Sequence, residues 1–510
     1  MTPPVGGGGG STADAGTSDA GNTGGTADAG TPDAGAAGLT PGSLGVGPWP
    51  TGNVTYGAQE GIQESPVIGM TTDESENLWV ATQSALYLMK PGQTHFTRFA
   101  APDGLHLPGN PTPNCFDWTN NIAKNGLSNN CEHTDANAPG ISEITGGGPN
   151  EVFVGYWSLQ PGNLGLITNS GDPSLPDGTP VEGTKLDPTR HSGKLDRVRL
   201  QADGKLEVVR LDVVSSDQIS FWHNRDVERM IYDHFIHRHE LYVGMNHGVN
   251  KLTPDNWETP PANTWFLTSY NHWMADHLHP QVCFHAPCSV NDTQMLGDWR
   301  GLAVDLDGDL WVGGRWAAGE IRYTNIINPT GEQDWIRTPR HSDGKGAFRV
   351  AFGDPYNGTS QCGTDSAPVF CPPQEGDPVN ISSIAVTPDG TAWFSSGTLF
   401  HDPRDVPYGI ARLTKADPHH FTYFSTAQVG LGESDVRDMV ALPDGRLVIG
   451  GLSTGLVFWD PATGKHVQMH AGQGIPDDRI MRLELDEMVT PPVLHVATAG
   501  GAASIRVFPK

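Results

Sequence analysis

The sequence predicts an all-β fold, a closed ring of seven four-stranded blades, and three observations predict it. One five-residue strand pattern recurs seven times. Toward the C-terminus the spacing between copies shrinks to the length of a bare blade, and the N-terminal part of the chain supplies a strand that the last copy lacks.

The clearest copy lies in Arg300 to Tyr323. Apolar Leu302 and Val304, a polar turn from Asp305 to Asp309, a second strand from Leu310 to Gly313 and a third starting near Ile321 read as an antiparallel meander. The second strand, LWVGG at 310–314, recurs as LWVAT at 78–82, VFVGY at 152–156, LYVGM at 241–245, AWFSS at 392–396, LVIGG at 447–451 and LHVAT at 494–498. First and third positions are aliphatic apart from Ala392 and Phe394, and the second is aromatic in five copies. Both faces of such a strand are apolar, which suits a sheet sandwiched between two others. The fourth position is always Gly, Ala or Ser, which predicts the close approach of another backbone or of a large ring.

Counted at that fourth position, successive copies lie 74, 89, 69, 82, 55 and 47 residues apart. A four-stranded blade needs about 40 to 50 residues, so the last two intervals are nearly bare and the earlier four carry insertions. After Phe508 the seventh unit has only three strands. Val54 to Ile62 aligns with Val467 to Ile475, an outer strand and its exit loop, so the N-terminal strand is expected to zip onto the C-terminal blade and remove two sheet edges.

With exit loops such as Asp103-Gly104-Leu105 and Gly474 to Asp478, each followed by an LWVGT-like hairpin, residues 50 to 510 resemble the two-component-regulator propeller repeat. That resemblance implies a seven-bladed β-propeller of the kind found in bacterial extracytoplasmic sensor domains and secreted proteins. The repeat is scaffold, so it implies a fold and not an activity.

The expected organisation is a disordered Gly/Ala/Asp/Thr-rich tether over 1–47 and a propeller over 48–510. The tether has too little apolar surface to offset its ordering entropy. In composition it resembles the spacer of bacterial surface lipoproteins, which implies a surface-tethered chain whose lipid anchor is missing from this sequence. A net charge of −27 argues against nucleic acid as partner, and no run of 18 apolar residues offers a membrane span. Six cysteines fall into local pairs, Cys115 with Cys131, Cys283 with Cys288 and Cys362 with Cys371, without zinc-like spacing. Disulfides inside loops are the natural reading, which places the chain in an extracytoplasmic compartment, secreted, periplasmic or on the cell surface.

Large insertions at Leu105 to Ile141, Leu211 to Val227, Tyr270 to Trp299 and Arg340 to Ile381 each join an outer strand to the next blade, so they share one face. All three cysteine pairs fall in them. Long loops on a rigid scaffold carry binding. His223, His247, His272, His277 and His279 are placed on this face as candidate ligands for a divalent ion such as Zn, Cu, Mn or Ca, whereas His234, His237 and His239 belong to a turn on the opposite face. Arg225, Arg300, Arg315, Trp316, Arg404 and Tyr408 form a second candidate set for an anionic small molecule, glycan or protein partner, because guanidinium forks bind carboxylates and rings stack on sugars. Asp305-x-Asp307-Gly308-Asp309 resembles a calcium loop but lacks the distal Glu and sits where a hairpin turn is required.

The leading reading is therefore an extracytoplasmic ligand- or partner-binding propeller. Its rivals are a metal-dependent lyase or hydrolase on an anionic polysaccharide, and an assembly or adhesion protein.

Overall fold

The structure, a computed structural model, describes residues 54–105, 107, 140–157, 195–211, 227–237, 239–245, 249–253, 275–278, 281–283, 293–295, 300–314, 317–321, 336–337, 363–364, 367–368, 381–396, 409–432 and 436–507. The tether expected at 1–47 and most of the expected insertions lie outside these residues.

The described residues form an all-β β-propeller. Seven antiparallel sheets of four strands follow one another along the chain. Their inner strands are Val67–Thr72, Gly140–Gly146, Val227–Asp233, Gly301–Val304, Ile381–Val386, Val436–Ala441 and Ile480–Asp486. Each inner strand packs against the next, and the last packs against the first, so the inner strands surround one channel. The recurring pattern supplies the second strand of every sheet, for example Leu78–Thr82, Leu310–Gly314 and Val493–Thr498.

Closure follows the expected route. Val54–Tyr56 pairs with Gly501–Arg506, with Val54 opposite Ser504 and Tyr56 opposite Ala502, and becomes the outer strand of the seventh sheet. The Tyr56 ring then meets Phe96 edge to face at 5.6 Å, tying the closing strand to the first sheet.

Apolar clusters lie between neighbouring sheets, which is why both faces of the repeated strand are apolar. Trp79, Val154 and Ile144 meet between the first and second sheets, and Trp311, Ile384 and Phe394 between the fourth and fifth. The small fourth position has a more specific cause than the expected backbone or ring. A Cβ on Gly450 would lie 2.6 Å from Cγ2 of Ile480, on Gly313 2.7 Å from Cγ2 of Ile381, and on Gly155 2.5 Å from Cγ1 of Val227. In each case an aliphatic residue near the start of the next inner strand fills the space. Gly450→Ala is thus expected to cost about 1–3 kcal/mol through overpacking, read as a lower urea midpoint with unchanged slope.

The aromatic second position also anchors the hairpin turn. Trp79 Nε1 donates to Asp73 Oδ2 at 2.9 Å, Trp311 Nε1 to Asp305 Oδ2 at 3.2 Å, and Trp393 Nε1 to Thr387 Oγ1 at 3.3 Å. Asp305 Oδ1 accepts the backbone N–H groups of Asp307 and Asp309 at 2.9 and 3.0 Å, so the DxDGD segment is a hairpin turn. His495 takes this place in the seventh sheet, where burial pushes its pKa down to about 4.

Three expectations need correction. The third strand of the template unit begins at Ala317, ahead of Ile321, because Gly314 pairs directly with Ala317. The outer strand of the third sheet is Ala275–Leu278, inside the segment expected to be an insertion, and its pairing with Val249–Leu252 takes those residues out of the connection. Long connections are also not confined to those entering a new sheet, since 158–194 and 397–409 each join a second strand to a third. Of the cysteines, Cys283 has a described backbone, opposite Thr293 in a two-stranded ribbon. Cys115, Cys131, Cys288, Cys362 and Cys371 lie outside the described residues, and the disulfide pairings with them.

Candidate functional site: an ionic collar at the channel mouth

Six inner strands shift register near their first residues, between Val67 and Gly69, Ile141 and Glu143, Val227 and Arg229, Ile381 and Ser383, Val436 and Asp438, and Ile480 and Arg482. A bulge adds one residue and re-aims its neighbours. The extra residues are Ile68, Ser142, Glu228, Ser382, Arg437 and Met481, and several reach the next sheet. Ser142 Oγ donates to the Val227 carbonyl at 2.7 Å, Ser382 Oγ to the Val436 carbonyl at 3.0 Å, and Arg437 Nε to the Met481 carbonyl at 3.2 Å. This bulge belt lies where the chain enters each inner strand. That is the end of the channel to which the outer-strand-to-inner-strand connections lead.

Residues just after the bulges join into one ionic network. Arg229 Nη1 lies 3.2 Å from Asp438 Oδ2 and 3.7 Å from Glu143 Oε1. Arg482 pairs with Glu143 Oε2 through Nη2, sits 3.8 Å from Asp438 Oδ2 through Nη1, and donates to the Glu228 carbonyl at 3.3 Å. Arg300 Nε lies 3.2 Å from Glu228 Oε2. Arg229 stands on the third sheet and Asp438 on the sixth, opposite sides of the ring, so their contact spans the channel. The channel is therefore crossed by an ionic plug at this level.

Asp438 is the hub. It is fully buried, accepts Ser383 Oγ at 2.7 Å and the Met439 N–H at 2.9 Å on Oδ1, and takes the Leu483 N–H at 2.9 Å on Oδ2. Burial opposes its ionisation, but Arg229, Arg482 and these donors outweigh it and hold its pKa below the usual value. Glu143 is shifted upward by burial, which its two arginines only partly offset. Deeper on the seventh sheet, Glu484 bonds Thr71 Oγ1, and burial pushes its pKa up to about 8. Arg437 is lowered to about 10 by burial and by the nearby charges of Arg482 and Arg300. Among the described residues the belt thus sets four guanidiniums against four carboxyl groups, of which Glu143 and Glu484 are pushed toward the protonated form by burial.

The opposite end carries a different cluster, on the turn expected for it. Tyr232 Oη lies 2.7 Å from His239 Nδ1, and His234 Nδ1 lies 3.4 Å from Glu74 Oε1. On the fourth sheet, the carboxylates of Asp305, Asp309 and Glu320 lie within 4.8 Å of one another, with Asp305 already bonded to its turn and to Trp311.

Of the anion-binding candidates, Arg300 enters the collar, buried against Glu228. Arg225, Arg315, Trp316, Arg404 and Tyr408 lie outside the described residues, as do His223, His247, His272 and His279. The backbone of His277 sits on the outer strand of the third sheet, opposite Asn250. Sequence reasoning missed Glu143, Arg229, Arg437, Asp438, Arg482 and Glu484. For all but Glu484 the signal was available as charged residues one or two places after the first apolar residue of four inner strands, in VER, VRD, IMR and ISE.

No protein-family model and no curated protein matches the sequence. Solved structures do resemble the fold. PorZ, a surface component of the type-IX secretion system of Porphyromonas gingivalis, aligns with 87% of this chain and 46% of its own at 13% identity and a TM-score of 0.45. An extracellular domain assigned to a hybrid two-component system of B. thetaiotaomicron aligns with 89% of this chain and 41% of its own, at 11% identity and a TM-score of 0.44. YCF48 bound to a D1 peptide covers 91% and 98% of the two chains at 9% identity and a TM-score of 0.42. The chain spans less than half the length of the first two. Among the described residues, no helix is long and apolar enough to cross a membrane.

Proposed function

We propose that this chain is an extracytoplasmic, surface-tethered propeller of seven blades that binds a ligand or partner at the insertion-bearing mouth of its channel. The ionic collar carries this reading. Filling a channel with ion pairs costs several kcal/mol per buried ion against an apolar filling, so stability alone does not account for it. The collar also lies at the end to which the longest outer-strand-to-inner-strand connections lead, where binding loops belong. The plug turns the channel mouth into a floored recess, suited to holding a ligand and not to passing one.

The test is a panel of acidic glycans and acidic peptides, probed with the full chain and with variants whose segments 108–139 and 158–194 are replaced by short Gly-Ser linkers. Expected are salt-sensitive binding by the full chain and at least tenfold weaker binding by the trimmed variants at unchanged Tm. Equal binding by the trimmed variants, or cross-links mapping the ligand to the turns at 73–77 and 233–239, would overturn the reading.

A further inference from the structure

We propose that Arg437 anchors an anion site on the floor of the mouth, and that its ligand presents a single carboxylate as a monoanion. This rests on the mouth-binding reading and names the chemical class bound there.

Arg229, Arg300 and Arg482 each have a carboxylate partner, whereas Arg437 bonds the Met481 carbonyl through Nε, and no carboxylate among the described residues pairs with it. Its side chain is partly exposed. The outer edge of its strand pairs with Leu447–Gly451, and the adjoining sheets cover the strand's faces, so that exposure is toward the channel. The charges of Arg482 and Arg300 oppose its own, and those of Asp438 and Glu143 favour it. An anion seated on Arg437 adds a direct partner for its guanidinium.

Charge and shape narrow the class. Among the described residues, the carboxylates of Glu143, Glu228 and Asp438 already pair with Arg229, Arg300 and Arg482 on the same belt as the Arg437 guanidinium. A dianion would bring a second negative charge against Asp438 and Glu143, at a cost. Because Nε is committed to Met481, the two Nη groups remain as a planar pair of donors, and a carboxylate matches that edge with two parallel hydrogen bonds. A spherical halide cannot use both donors as well.

The probes are sodium acetate, sodium chloride and sodium sulfate at matched ionic strength, added to the full chain at pH 7 and followed by thermal unfolding, since an anion bound to the native state raises Tm by mass action. Acetate is expected to stabilise the wild type saturably, with chloride and sulfate at least fivefold weaker. Arg437→Gln is expected to lose the acetate response, and Arg437→Lys to keep a weaker one that no longer favours acetate over chloride. The Lys variant also serves if the Gln variant fails to fold. An acetate response that persists in Arg437→Gln, chloride equal to acetate in the wild type, or no saturable acetate effect would each overturn the assignment. If acetate fails while the larger acidic ligands still bind in a segment-dependent way, this site falls and the mouth-binding reading stands.

Discussion

Asp438→Ala is expected to destabilise the protein by about 3–5 kcal/mol, the loss typical when one partner of a buried ion pair is removed. Its carboxylate satisfies Ser383, two backbone N–H groups and the guanidiniums of Arg229 and Arg482, and all are buried with it or partly so. Alanine leaves two cations facing each other across the channel with Glu143 as their remaining shared carboxylate. Urea unfolding provides the measurement, with Ser383→Ala as comparison at about 1–3 kcal/mol, since its hydroxyl bonds Asp438 and the Met439 backbone. A loss below about 1 kcal/mol for Asp438→Ala would mean that the plug does not hold opposite sheets together.

Glu484→Gln is expected to stabilise the protein, increasingly so as pH rises. The native carboxyl titrates at about 8, against 4.5 for the ordinary group, so between these values the native state binds a proton that the unfolded state does not. Stability is then fully present below pH 4.5 and declines as pH rises toward 8, by up to about 1.4 kcal/mol per pH unit. Glutamine keeps the hydrogen bond with Thr71 and removes the titration, so the two stability curves should coincide near pH 4 and separate until about pH 8. Parallel curves across that range would show that Glu484 is ionised in the folded protein.

The fold was legible because its signal is repeated. A column that is small in seven second strands is a signal repeated along the chain, and at Gly155, Gly313 and Gly450 its cause is an aliphatic side chain of the next inner strand pressing on the glycine. Closure was legible because the missing strand left a gap with a defined pattern to fill. The collar was not, because it is written in the places where the repeat is broken. Arg229, Asp438 and Arg482 occupy equivalent positions on three sheets, yet they differ in charge and acquire meaning only when the ring brings them face to face. Reasoning from loops and histidines instead drew attention to His277, which the register places on an outer strand. A repeat predicts neighbours along the chain, whereas contacts across a channel depend on the number and tilt of sheets between them.

The pairing of Val54–Tyr56 with Gly501–Arg506 also fixes an order of events during synthesis. A strand made near the start must wait, unpaired, until nearly the whole ring has been made. Until then Val54–Tyr56 has no partner, and the first and newest sheets each present an uncovered apolar face to other molecules. Pairing between such distant segments is slow to find.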